Sequence, residues 1–278
     1  MIINELYNGS GIGNQLWTYV VTRVIAFKNN YEFSIMGKEN YKGKDLIDLD
    51  FGIMLEEVPK NINYVKENLI RNKYGIDISK FDENIWNVKD NTIIDGGMQS
   101  VKYIENYKKE ICKWLTPKKN KFYFDDNHCI IHFRGSDYIG AGKTLLTKKY
   151  YKDAISHMIE INKDMIFLVV TDDVNLARTY FNENWIIGSS LIDEDKYKAS
   201  HHSGGSIDVD YMLINSAKNI ILSNSTFGFW ATWTNNNVKN VIAPKYWFAH
   251  NYSDGYWSTN DMIVKEWKYL DREGNISI

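Results

Sequence analysis

Residues 130–140 read IIHFRGSDYIG. Two isoleucines open a run that belongs inside a protein, yet it ends by presenting His132, Arg134 and Asp137 close together. A guanidinium is almost never buried without a partner, so an apolar strand ending on Arg134 must deliver that side chain to something. The same grammar recurs on either side. DMIFLVVTDD (164–173) is an apolar run of strand length stopped by paired acids, IILSN (220–224) runs into the polar STFGFW, and NVIAP (240–244) is one more such run. Between them TKKYYKDAISHMIEI (147–161) and VDYMLINSAKN (209–219) carry helical patterns. Continuous apolar strands alternating with helices predict an α/β fold, its parallel sheets covered on both faces. In such sheets ligands bind beyond the carboxyl ends of the strands, where most of the unusual polar residues fall.

The first half repeats the pattern. A short N-terminal strand leads through a glycine turn into a helix, QLWTYVVTRVIAFKNN (15–30), with Leu16, Tyr19, Val20, Val24 and Phe27 expected on one face. YEFSI (31–35) reads as a second strand and Thr92–Ile94 as another. A glycine turn and a helix follow, with Val101, Ile104, Tyr107, Ile111 and Trp114 as its stripe. From Tyr41 to Trp86 the signals weaken. Pro117 and the polar run TPKKNKFYFDDN (116–127) read as a linker. The prediction is two domains, 1–122 and 123–278, with the C-terminal tail a candidate to return to the first.

The 278 residues exceed what one hydrophobic core comfortably holds, which supports that division. With 44% hydrophobic and 24% charged residues and a net charge of −2, the chain has no basic footprint, and nucleic acid is not an expected partner. The 19 Tyr and 9 Trp suit a core, and they also suit rings stacked on sugars or bases. Two cysteines and nothing else that argues for a disulfide indicate a reducing compartment. The N-terminus has no basic region before its short apolar run, and the longest later run is MIFLVV (165–170), so the expectation is a soluble cytoplasmic protein.

Several segments could carry chemistry. GSGIGNQ (9–15) places Gly9, Gly11 and Gly13 between strand and helix, where main-chain N–H groups could face an anion or a sugar; the alternative is a tight turn with Asn14 capping the helix. Its spacing is not G-x-G-x-x-G. Arg134 offers a rigid fork of donors that matches a diphosphate without a metal. Asp137 is either its salt-bridge partner or a base beside it, and alternation puts His132 on the same side as Arg134. Asp172 and Asp173 could accept hydrogen bonds from a base or ribose, or cap a helix. Ser223, Asn224, Ser225 and Thr226 supply donors at a helix start that favours phosphate. Asp48-x-Asp50, Asp193-x-Asp195 and Asp208-x-Asp210 match a spacing used for divalent ions, but none follows a strong apolar strand, and no metal or cofactor is expected. No phosphate loop, nucleophile elbow or spaced Cys/His cluster is present.

In combination, GSGIGNQLWTYVVTRVIA, DGGMQSVKYI, IHFRGSDY, VVTDD and DYMLINSAKNIILSNSTFGFWATW followed by IAPKYW resemble the bacterial α-1,2-fucosyltransferase family, glycosyltransferase family 11, from Gly9 to Trp247. The resemblance implies a GT-B-type architecture, two Rossmann-like domains facing across a cleft, with the acceptor on the first and a GDP-sugar on the second. It implies an inverting, metal-independent transfer of L-fucose from GDP-fucose to a hydroxyl, O2 of a galactose, on an oligosaccharide or lipid-linked glycan of a surface polysaccharide. Peripheral association with the inner membrane face is compatible with that role. Carried over by position, Arg134 is the diphosphate-binding arginine of H-x-R-R-x-D, and His132 and Asp137 match the same motif. Asn14 and Gln15 match the G-N-Q turn, Asp172 and Asp173 the S-D-D segment. Ser225, Thr226 and Phe227 match the phosphate-side loop, and Asp210 matches an acid preceding the helix before that loop. Arg134 and Asp137 are the catalytic candidates, and Asn14, Gln15, His132, Arg134, Asp172, Asp173, Asn224, Ser225, Thr226 and Phe227 the donor-binding ones. The chain departs from the family at Gly135, in place of a second arginine, and at Gly228-Phe229-Trp230, in place of paired tryptophans. Alternatives on the same fold are a transferase for another GDP-sugar, or a non-catalytic glycan- or nucleotide-binding relative.

Overall fold

The computed structural model describes residues 1–71, 77–139, 144–187, 207–247, 250 and 260–277. Asp193, Asp195 and the polar loop 197–206 lie outside the described residues. The chain divides into two compact units, Met1–Lys118 with Thr259–Val264, and Lys119–Ser258 with Lys265–Ile278. The first division falls just after Pro117, in the polar run.

In unit 1, β1 (Ile2–Glu5), β2 (Phe33–Met36) and β3 (Asn63–Lys66) precede a short antiparallel pair, β4 (Ile70–Arg71) with β5 (Asp77–Ile78). With β6 (Thr92–Asp95) the first three make a parallel sheet in the order β2-β1-β6-β3. Helix α1 (Ile12–Asn29) ends where Asn30 turns left-handed (φ 56°, ψ 41°) and its N–H reaches the carbonyls of Ala26 and Phe27. The expected single stripe is too narrow for α1. Trp17, Val21 and Ile25 are also buried, whereas Phe27 is 56% exposed and meets Tyr107 and Trp114 edge-on. Helix α2 (Glu83–Trp86) is capped by Asp82, which accepts from the Asn84 N–H. The long helix expected up to Trp114 is instead two 3-10 turns, Val101–Tyr103 and Glu105–Tyr107, before α3 (Lys108–Trp114). The stripe is real, but tighter turns carry its first half. Strand β3 falls in the stretch with weak signals because it is an edge strand exposed along most of its length, so neither face demands a pattern.

In unit 2 the strands are β7 (His128–Phe133), β8 (Ile166–Thr171), β9 (Ile186–Ile187), β10 (Asn219–Ile221), β11 (Asn240–Pro244), β12 (Lys268–Leu270) and β13 (Ile276–Ser277). Their order is β13-β12-β11-β10-β7-β8-β9, parallel except for β13. Counted along the chain, the first six read third, second, first, fourth, fifth, sixth, the order of the doubly wound nucleotide-binding sheet. The helices are α4 (Lys148–Ile161), α5 (Val174–Tyr180), α6 (Ile207–Ser216) and α7 (Thr226–Trp233). Cys129, Ile131 and Phe133 of β7 pack with Tyr150, Tyr151, Ala154 and Met158 of α4 and with Val174 and Ala177 of α5. Alternation turns Ile130 and His132 to the other face, where α7 lies. Both β7 isoleucines are fully buried, each contributing about 1.5–3 kcal/mol. Among the described residues no helix is long and apolar enough to cross a membrane.

Candidate functional site

The sheet of unit 2 reverses its winding between β7 and β10, and the loops beyond their carboxyl ends, 134–138 and 222–225, meet there. Two contacts fasten them together. Tyr138 Oη donates to the Asn224 carbonyl at 2.9 Å, and Ser223 Oγ shares a 3.0 Å hydrogen bond with His132 Nδ1. Burial pushes the Tyr138 phenol up to about 12, so it remains a neutral donor.

Arg134 follows the last residue of β7 and does receive partners. Its Nη1 lies 2.7 Å from Asp172 Oδ2 and its Nη2 lies 2.8 Å from Asp137 Oδ1, with the Tyr138 ring centroid 5.6 Å from Cζ. Burial alone would lower the guanidinium's pKa, but Asp172 and Asp137 outweigh it and hold it above its ordinary value. One third of the side chain is still exposed. The two acids differ in depth, since Asp137 is 66% exposed and Asp172 22%. Burial raises the Asp172 carboxyl against the pull of Arg134, and its Oδ1 accepts the Gly135 N–H at 2.7 Å. Its Oδ2 makes the ion pair without an aligned hydrogen bond. Asp173 caps α5, accepting from the Leu176 N–H at 2.9 Å. The paired acids therefore divide: one holds the arginine loop and the other starts a helix.

Gly135 fits this geometry closely. A side-chain carbon there would lie 2.8 Å from Asp173 Cβ and 3.1 Å from Leu176 Cδ2, so the second arginine of the family motif has no room unless α5 shifts. Gly228 is closer still, because a carbon there would lie 2.4 Å from His132 Nδ1.

Other expected site residues have structural partners. His132 is 5% exposed and packs between Ser223 and α7, and the Phe227 ring lies 6.0 Å away. Asn224 is buried, and its Nδ2 donates to the carbonyls of Thr144 and Trp247 at 2.9 and 2.6 Å. The Ser225 N–H is spent on the Ser223 carbonyl at 2.9 Å, and the Ser225 hydroxyl does not cap α7. Thr226 and Phe227, half-buried, open that helix. In unit 1 the helix starts at Ile12 with Gly11 at its N-cap, so Asn14 does not cap it; the Asn14 side chain is exposed and accepts from Gln99 Nε2 at 3.2 Å. Gln15 is buried, its Nε2 donating to the Asn40 carbonyl and its Oε1 accepting the Lys42 N–H. Of the Asp-x-Asp acids, Asp48 pairs with Lys118, Asp50 with Arg23 and Asp208 with Lys119. Among the described residues no three His, Cys, Asp or Glu side chains converge as a metal site.

Sequence reasoning missed Tyr138 as the latch between the loops, although it stands four residues after Arg134. It also missed that Gly228 is dictated by the histidine beneath it. Neither signal is visible until β7 and β10 are known to be neighbours.

Burial, with the Arg134 charge adding to it, lowers His132 to about 3, and burial lowers His250 to about 4. An unfolded histidine titrates near ~6.5. Between that pH and the folded values the unfolded chain binds more protons than the native one. The stability from the neutral rings is thus fully present above about 6.5 and is lost as pH falls toward 4 and then 3, by up to about 1.4 kcal/mol per pH unit for each ring. Urea midpoints at pH 7.5 and 5.0 check this: His132→Asn should flatten the dependence, and an unchanged slope would refute the assignment.

A sequence model of the family described as "Glycosyl transferase family 11" matches residues 120–271, more than half of the chain and all of the loop system around Arg134. The chain is 25% identical over 191 residues to "Alpha-1,2-colitosyltransferase" of Escherichia coli, covering 64% of this chain and 62% of that protein. It is 30% identical over 154 residues to "O-antigen biosynthesis glycosyltransferase WbnK" of the same organism, covering 52% of this chain and 43% of that protein. The matches thus span less than two thirds of either relative's length. With a doubly wound sheet carrying an arginine and a helix start at its switch point, and a family match across that sheet, the chain belongs to glycosyl transferase family 11.

Proposed function

We propose that the protein is an inverting, metal-independent glycosyltransferase that moves L-fucose from GDP-fucose to a glycan hydroxyl, O2 of a galactose in the first instance. The observation that carries this reading is Arg134, one-third exposed at the β7/β10 switch point and fixed from its buried side by Asp172. A departing nucleoside diphosphate accumulates negative charge, and a preorganised guanidinium stabilises it with no reorganisation at the moment of reaction. Asp172 is the support that remains when substrate enters, whereas Asp137, on the exposed side, is the partner that a diphosphate displaces. In this reading Asp137 holds Arg134 ready until the donor arrives. The start of α7 at Thr226 adds its N-terminal dipole, and the half-buried Phe227 ring offers the base an apolar surface. Donor on unit 2 and acceptor on unit 1, in a GT-B arrangement, belong to the same proposal.

Excess EDTA should leave the transfer rate unchanged. Loss of activity restored by manganese would overturn metal independence.

A second reading for the donor is favoured by the relative whose printed name is alpha-1,2-colitosyltransferase. It keeps the chemistry and replaces fucose with colitose. Hydrolysis rates of GDP-fucose, GDP-colitose, GDP-mannose and UDP-sugars discriminate; turnover of none of them, with GDP still bound, would mark a non-catalytic relative.

A further inference from the structure

A second cluster lies in unit 1, at the carboxyl end of its own sheet. Asp95 is the last residue of β6, Tyr7 stands two residues beyond β1, and Tyr64 lies on β3. Tyr7 Oη donates to Asp95 Oδ1 at 2.9 Å and Tyr64 Oη to Asp95 Oδ2 at 2.5 Å. Two phenols thus converge on one carboxylate, and both are widely exposed, Tyr7 at 48% and Tyr64 at 61%. Hydrogen bonding from the phenols, Tyr64 first, helps keep Asp95 below the usual carboxylate range, so the group is an anion at neutral pH.

The support beneath the cluster is rigid. Glu67 is buried, and its Oε2 accepts the N–H groups of Gly97 and Met98 at 2.8 and 3.0 Å, which fixes the turn following Asp95. A side-chain carbon on Gly96 would lie 2.4 Å from Glu67 Cβ, so glycine there permits the close approach. The other side is open. A carbon on Gly9 or Gly11, in the turn after Tyr7, would meet nothing within 4 Å. In the strand order β2-β1-β6-β3 the central pair is β1 and β6, and ligands of parallel sheets bind beyond the carboxyl ends of the strands.

The chemistry narrows the ligand. The carboxylate has acceptor capacity beyond the two phenols, and the phenol oxygens, having donated, are acceptors too. An acceptor-rich anionic patch repels phosphate and takes hydroxyl donors. The nearby cation, Lys66 Nζ, is 3.9 Å from Asp95 and 71% exposed, too weakly placed to reverse that sign. Half-exposed rings beside such a carboxylate suit the C–H face of a sugar, with a pair of its hydroxyls directed at the oxygens. We infer that Tyr7, Asp95 and Tyr64 form a subsite of unit 1 for a neutral pyranoside, a galactoside of the acceptor glycan under the proposed function. The word acceptor rests on that proposal; the sugar subsite rests on the geometry of unit 1.

Saturation-transfer NMR of the full chain with lactose and methyl β-galactopyranoside tests it. The wild type should show sugar signals, and Asp95→Asn and Tyr64→Ala should weaken binding about tenfold or more, the loss of a charged or stacked contact. Both substitutions are near the surface, and a circular-dichroism melting curve matching the wild type shows that the variants are folded. No sugar signal from the wild type, or equal signals from both variants, would overturn the subsite. A wild type that binds lactose through these residues but turns over no nucleotide sugar leaves the subsite standing and defeats the transferase reading instead.

Discussion

Arg134→Ala should lower the rate constant for sugar transfer by about 10²–10³-fold, the usual effect of removing a preorganised donor from developing oxyanion charge. Arg134→Lys should recover little, because an ammonium cannot span Asp172 and a phosphate with one rigid fork. The alanine variant has a side effect that the structure makes explicit. Asp172, already shifted upward by burial, loses its opposing charge and becomes a largely buried acid left with the Gly135 amide and the Ser136 side chain. Some stability should be lost, of order 1–3 kcal/mol. Arg134→Ala combined with Asp172→Asn separates the two effects: the melting temperature should return toward wild type while transfer stays as low as in Arg134→Ala alone. Near-wild-type transfer by any of these folded variants would remove the central support of the proposed mechanism.

Gly228→Ala is the second large effect expected, on the fold around the site. A methyl group there would lie 2.4 Å from His132 Nδ1, the same atom that Ser223 Oγ holds at 3.0 Å. The residue is buried, so either α7 or the histidine must move. Overpacking of this kind costs about 1–3 kcal/mol. For a chain of this size that is a drop of several degrees, roughly 2–4 °C for each kcal/mol. Donor affinity should fall with it, since the same displacement moves the start of α7. A variant that melts with the wild type would show that the loop is softer than these contacts imply.

These two sites also show what was legible beforehand. Isoleucines 130 and 131 declare a buried strand, and Arg134 at its end declares a need for charge; both follow from composition within a few residues. Asp137 was nameable as a partner because it is three residues away. Asp172 was nameable as an acid at a strand end, but its pairing with Arg134 comes from β8 lying beside β7, and parallel strands separated by a helix leave no local trace of which pairs with which. His132, Gln15 and Asn224 share another cause. Each lies in a motif suited to a ligand, yet each is buried with a side-chain nitrogen bonded to the chain itself. Polar type marks a residue that needs partners without saying whether those partners are protein or substrate. Edge strands β3 and β13 went unread because exposure on both sides erases the pattern that reading depends on.

The short piece Thr259–Val264 belongs to unit 1 although unit 2 lies on either side of it in sequence. Its Asp261 accepts the Phe81 N–H at 2.5 Å and pairs with Lys102 at 2.8 Å. Chimaeras that exchange the halves of two relatives at the proline-marked junction would therefore mismatch six residues far downstream. A hybrid gene should take codons 259–264 from the parent that donates its beginning.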